Sequence, residues 1–461
     1  MSGCRRGVGR AGARAVVSVA LAVVAVLPSW VAAQRIAAGG IGVMPPVAVE
    51  AARAAAADTI TGQRLQVILL TAGPGDAVWE MFGHNLLWIR DTVSGEGLAW
   101  NWGKFSFNEP KFLQRFLLGD TRYWMEGDDV ASTLAYYQST NREVIAQELA
   151  LTPGERAALL AFVTTHAREE NKYYRYDYFL DNCSTRLRDA IDLVTGGALR
   201  DAIGGVPTNA RLTYRGETLR LVRDDPWLVA GIDLALGRPA DAARSPWETA
   251  FVPMQLRNSL RDVEIRDGAG GTRRLVVRET VMVPADRAAE WEGFPALPAD
   301  QWPTWPVNVA LSIAVLLGVL TVLRARGATW AAIPVGIVAS GAHLAMGLVA
   351  AAILAMWLFT KHTFWAWNAH LLLMTPLSLV LAVLIPWQLW KRAVGRGVLA
   401  YHVIIVSVAA VIWAADLLLR GGTKDAEPRA LIALWAQVSL LLHLALAFAL
   451  APRNATERSP S

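Results

Sequence analysis

The chain has 461 residues, 54% of them hydrophobic and only 18% charged, with 19 tryptophans and a formal net charge of +5. That balance points to a membrane protein with a soluble part. Lys/Arg clusters with interleaved aromatics are lacking, which argues against a nucleic-acid partner. There is also no phosphate-cradling glycine loop and no metal-ligand spacing, so neither a cofactor nor a metal is expected.

Residues 1–33 read as a secretory leader. Arg5, Arg6, Arg10 and Arg14 make its basic start, 15–27 its apolar stretch, and Val31, Ala32 and Ala33 a cleavage site. Left uncleaved, the leader would be a further membrane helix, and the following segment is exported either way. Residues 34–58, rich in Ala, Val, Gly and Pro, read as a linker or surface helix without chemistry.

An exported domain mixing helix and strand is expected over 59–297. A strand-like run covers 64–71, and Gly73, Pro74 and Gly75 then make a turn. A second strand begins at His84 and a third covers 98–107. Residues 111–118 form a short amphipathic segment, and 136–148 pass from strand to helix. Thr152, Pro153 and Glu155 cap a helix running to 170. Tyr173, Tyr174, Tyr176, Tyr178 and Phe179 make an aromatic approach to a second helix. Asp181 and Asn182 stand at its start, and Leu187, Ile191 and Val194 line one face. A short helix is expected within 224–241, and 262–283 reads as a β-hairpin about a GAGG turn.

A Pro- and Trp-rich neck at 298–305 leads into five apolar spans, 306–323, 330–358, 364–389, 398–419 and 429–451, and a cytoplasmic tail, 452–461. With the exported domain outside, seven Lys/Arg flank the spans on the inner side and four on the outer. Tryptophans gather at span ends, among them Trp302, Trp330, Trp357 and Trp390, as interfacial anchors do.

Past the leader, which carries Cys4, Cys183 has no cysteine to pair with. It falls in the first turn of its helix, where unpaired N–H groups and the helix dipole favour a thiolate. Such a nucleophile needs a base. Among seven histidines, His343, His402 and His443 lie in apolar spans as packed residues, and His362 and His370 lie at the outer end of the third span. His166 is expected on an exposed helix face. His84, between Gly83 and Asn85 at a strand start, is the candidate base. Asn101 on the next strand is the candidate to fix its tautomer. Asn182, Asp181, Tyr176 and Asn85 are expected to support the site.

FGHN at 82–85, NWGKFSF at 101–107 and YRYDYFLDNCSTRLRDAID at 174–192 stand in the order and spacing of the Lnb N-terminal periplasmic domain family. The chain resembles that family over about residues 60–260. The resemblance implies an α+β papain-like domain of permuted NlpC type, similar to lecithin:retinol acyltransferase. In that fold the cysteine opens a helix and the histidine begins a strand across from it. Here an all-α transmembrane domain of about five helices follows. Founding members are lipoprotein transacylases, which move a fatty acyl chain from the glycerol of a lipidated N-terminal cysteine onto its α-amine. The resemblance thus implies that Cys183 attacks an acyl ester and His84 acts as base and then acid. The N–H of Cys183 and a neighbouring N–H would hold the oxyanion. The expected protein is a cysteine acyltransferase or lipid-ester hydrolase in the cytoplasmic membrane, with its N-terminal domain on the periplasmic side. Membrane lipid or lipoprotein is its substrate and the bilayer its partner. A cell-wall peptide amidase of NlpC type and a non-enzymatic membrane assembly module remain as alternatives.

Overall fold

The structure, a computed structural model, describes residues 42–207, 212–266, 271–286, 303–391, 394–420 and 430–451. The expected leader, most of the neck, the centre of the GAGG turn and the expected tail lie outside them. The chain divides into two compact units, one drawn from 40–229 and 240–301, the other from 230–239 and 302–461.

The first unit is built on nine strands among the described residues: β1 Leu65–Ala72, β2 His84–Asp91, β3 Gly97–Lys104, β4 Arg122–Asp129, β5 Val144–Leu149, β6 Tyr173–Arg175, β7 Glu264–Arg266, β8 Thr272–Arg274 and β9 Val276–Val283. Seven form an antiparallel sheet in the order β6-β4-β3-β2-β1-β5-β9, and β7 pairs with β8 alone. Side chains alternate across a strand, so β1 feeds two cores. Leu65, Val67 and Leu69 join the larger core with Leu87, Trp102, Phe162 and Leu187. Ile68, Leu70 and Ala72 join the smaller with Leu86, Ala99 and Tyr137. Helices Pro46–Ala55, Pro153–His166 and Cys183–Val194 supply the larger core, and helix Val130–Ser139 covers the smaller.

The order expected over 136–148 is reversed. Asp129 accepts from the backbone of Ser132 and caps helix Val130–Ser139. Asn141, at a φ of 50°, turns the chain, and β5 follows, paired on both edges and almost wholly buried. The expected hairpin over 262–283 is cut short. Buried Leu275 donates to Val263 O and accepts from Ala150 N, and from that pivot β9 leaves to pair with β5. The helix after Thr152 has the expected capping box but ends at His166.

In the second unit four helices among the described residues are long and apolar enough to cross a membrane: Trp305–Ala325, Thr329–Phe359, Arg396–Leu418 and Ile432–Leu450. The third expected span, 364–389, resolves instead into 3-10 turns Thr363–Trp365 and Ala369–Leu372 and helix Ser378–Trp390. Trp367 has a φ of 54°, and Pro376 disfavours helical backbone at Thr375. The Asn368 side chain donates to Leu234 O at 2.7 Å, and Gly237 N donates to Phe364 O at 2.6 Å, tying 230–239 to this broken segment. Buried Asp233 accepts from Trp435 Nε1 at 2.9 Å. Three fully buried histidines meet in the bundle: His402 Nδ1 lies 2.9 Å from His443 Nδ1, and the His343 ring lies 5.2 Å from that of His402.

Candidate active site

The setting of Cys183 begins at a helix cap. Asn182 Oδ1 accepts from Ser184 N at 2.9 Å and Thr185 N at 3.0 Å, while the Thr185 hydroxyl accepts from Asn182 N at 2.8 Å. The other end of the same amide donates to Tyr178 O at 3.0 Å and Phe251 O at 2.9 Å. Asp181 holds the preceding turn by a buried two-point pair with Arg186 and by accepting from Gly42 N at 2.9 Å. Cys183 is the first residue of the helix, Cys183–Val194, so its N–H has no intrahelical partner. The Asn182 side chain engages the next two donors, Ser184 N and Thr185 N.

His84 opens β2 behind Gly83, whose φ is +77°. A Cβ on Gly83 would meet Met254 Sδ at 2.8 Å and Ala72 O at 2.9 Å, so the FGHN glycine is a geometric requirement. The His84 ring Nε2 lies 2.8 Å from Asn101 Oδ1. Because an amide oxygen only accepts, Nε2 carries the proton, which leaves Nδ1 as the ring nitrogen available to the Cys183 thiol, the group that raises the ring's affinity for a proton. Asn101 is itself oriented: its Nδ2 donates to Asp128 Oδ2 at 3.3 Å, and Asp128 pairs with Lys104 at 2.7 Å. The ladder between β3 and β4 shifts register between Asn101 and Lys104, and Gly103 lies in that irregular stretch. A Cβ on Gly103 would stand 2.5 Å from His84 Cε1.

The opposite face of β2 supplies the link to the helix. Asn85, fully buried, donates from Nδ2 to Ser184 Oγ at 3.1 Å, and its backbone N–H favours the Cys183 thiolate. Tyr176 stacks on Tyr123 with ring centroids 4.1 Å apart, and both phenols are pushed up by burial and by the Cys183 charge. They stay neutral beside the sulfur.

Burial alone would push the Cys183 thiol up. The His84 charge and hydrogen bond, the Asn85 N–H and the Ser184 hydroxyl outweigh it, and the thiol lies below its ordinary value. Burial pushes the His84 ring down, but the Cys183 charge and the hydrogen bonds to Cys183 and Asn101 outweigh that and the repulsion from Arg142, so the ring lies above its ordinary value. Each shift favours the charged form of its own group, a thiolate beside an imidazolium.

All seven expected site residues are thereby located. Cys183, His84 and Asn101 form one connected chain of side chains. Asn182 and Asp181 build the cap and turn, Asn85 bridges sheet and helix, and Tyr176 stacks on Tyr123. His166, expected on an exposed face, is instead fully buried. It continues the stripe of Leu159, Phe162 and Val163 at helical spacing, accepts from Trp102 Nε1 at 3.3 Å, and is pushed down to about 3 by burial. Gly103, Asp128, Ser184 and Tyr123 were not singled out from the sequence. The only signal for Gly103 was a glycine inside a strand pattern, which marks close approach of a neighbour. Among the described residues no group of three or more His, Cys, Asp or Glu side chains is arranged to hold a metal ion.

No curated protein and no solved structure matches the chain. A periplasmic-domain match and four membrane-length helices are the features of a multi-pass inner-membrane protein. The sequence resemblance carried by the FGHN and DNCST segments is shown over residues 52–216, which match the family model of the Lnb N-terminal periplasmic domain.

Proposed function

We propose that this protein is a cysteine-dependent acyltransferase or lipid-ester hydrolase working from the periplasmic side of the inner membrane, with the site on a permuted papain-like domain. The observation that carries the reading is the pairing of the Cys183 thiol, at a helix N-terminus, with a His84 ring whose far nitrogen is fixed by Asn101. The excess of Lys/Arg flanking the membrane segments on the opposite side supports the orientation.

In this reading the Cys183 thiolate attacks the carbonyl carbon of an acyl ester, and the developing oxyanion takes the Cys183 N–H as a donor. The C–O bond breaks, the His84 imidazolium gives its proton to the departing alkoxide, and an acyl-thioester remains on Cys183. An amine or water then attacks the thioester. His84 takes its proton, and the thiolate leaves as the amide or acid forms. An amine acceptor gives N-acylation of a lipoprotein by transacylation, and water gives hydrolysis.

Intact-mass analysis of the full-length protein after incubation with bilayer lipids and lipoprotein tests this reading. An acyl adduct on Cys183 that is released by hydroxylamine and absent in Cys183→Ala is the expected result. Unchanged lipid and lipoprotein profiles in cells carrying Cys183→Ala would sink it. Cleavage of cell-wall peptide without any lipid would place the protein with the amidases instead.

A further inference from the structure

The aromatic packing of Tyr176 does not stop at Tyr123. Phe105 stacks on Tyr123 at 5.1 Å, Phe107 meets Phe105 edge-on at 5.0 Å, and Phe107 contacts both Trp79 at 5.6 Å and Phe112 at 5.1 Å. Phe112 opens the short helix Phe112–Leu117, none of whose residues is buried. The far end of this ring chain faces outward: Trp79 and Phe107 are each 59% exposed, Leu113 68% and Leu117 50%. A run of linked rings therefore leads from Tyr176 and Tyr123 to an outward apolar patch on the same unit. Such a contiguous patch on an exported domain marks an interaction surface.

We propose that this patch is a docking surface for a phospholipid leaflet, which it enters to interfacial depth. Three observations select lipid as the occupant. The same polypeptide carries four helices of membrane length, so a bilayer is always within its reach. The patch combines Trp, Phe and Leu with basic residues, which is the composition of interfacial segments. Lys111 and Arg115 stand among the apolar residues of 111–118, where there is no acid, which suits anionic headgroups. Docking stands without the acyl chemistry. Where that chemistry also holds, the docked patch makes the substrate a lipid-borne ester taken at the leaflet surface, rather than a soluble one.

The test uses the full chain in nanodiscs of phosphatidylcholine and phosphatidylglycerol, with Cys4→Ser and Cys183→Ser so that only introduced thiols react. An environment-sensitive fluorophore is placed at Leu113→Cys or, as a control, at Val93→Cys, which is 74% exposed in the β2–β3 turn. The expected result at Leu113 is a blue-shifted emission, quenched by headgroup-region nitroxide lipids and shielded from aqueous iodide, with the reverse at Val93. Iodide quenching at Leu113 equal to that at Val93, without lipid quenching, overturns the proposal. Shielding from iodide without lipid quenching also overturns it and assigns the patch to a protein partner or a second copy. Because Cys183 is absent throughout, failure of docking is read separately from failure of the thioester chemistry.

Discussion

A thiol that is 8% exposed between a helix terminus and an imidazole titrates as half of a pair. The thiol is held below its ordinary range and the ring above its own, and both shifts favour the ion pair over the neutral pair. Turnover should rise with pH as Cys183 ionises, earlier than for a free thiol, and fall as His84 loses its proton, later than for a free imidazole. Iodoacetamide alkylation of Cys183 should show a midpoint below the ordinary thiol value of about 8.5, and His84→Ala should move that midpoint upward. A midpoint unchanged by His84→Ala would remove His84 as the partner. Asn101→Ala should weaken turnover less than His84→Ala. Proton transfer by a positioned side chain is worth about 10²–10⁴ in rate. A neutral hydrogen bond that only orients the ring is worth about 0.5–1.5 kcal/mol, roughly a few-fold to tenfold. If folded Asn101→Ala were as inactive as His84→Ala, Asn101 would be a direct participant. Gly103→Ala tests the ring's seat from the other side. The added methyl would collide with His84 Cε1, so activity should fall while the unit's thermal unfolding stays close to wild type. Wild-type turnover in that variant would show that the ring has room the structure does not give it.

At the scale of elements, the cap at Asn182 joins stability to chemistry. Asn182→Ala removes the acceptor for two first-turn N–H groups and a donor to Tyr178 O and Phe251 O. Loss of an N-cap costs about 0.5–2 kcal/mol, and orphaned buried partners add to it. A lower unfolding midpoint of the exported unit, with a raised alkylation midpoint for Cys183, is the expected pair of results; loss of neither would disprove the coupling. Much of this was legible beforehand. The cap residues, the helix spacing behind Cys183 and the strand opening at His84 are local signals, and local signals placed Cys183 and His84 on their elements. The elements misread were those settled at a distance. Residues 144–149 are a strand because β1 and β9 pair with both edges, and 276–283 leave the hairpin because β5 offers an unpaired edge. His166 looked exposed because polar neighbours surround it in sequence, whereas the stripe it shares with Phe162 decides its burial. Gly103 had no chemistry of its own to announce, since its role is the absence of a side chain.

For the whole molecule, the decisive feature is the segment 230–239, which lies in the chain between two stretches of the sheet-bearing unit yet packs with the membrane-length helices. Asn368 gathers the carbonyls of Leu234, Ala235 and Leu236, and Asp233 is bound by Trp435. The polypeptide thus passes between its two units more than once, so its halves are stitched rather than strung. A single proteolytic nick within 287–302 would break one thread and leave the other, with 230–239 remaining as a plug in the C-terminal fragment. The two fragments should then copurify in mild detergent, and Asn368→Ala should loosen them; clean separation after the nick would show that the plug does not hold. An exported piece ending before residue 302 carries that plug without its socket, so genetic truncation and proteolytic nicking at the same place should yield different proteins.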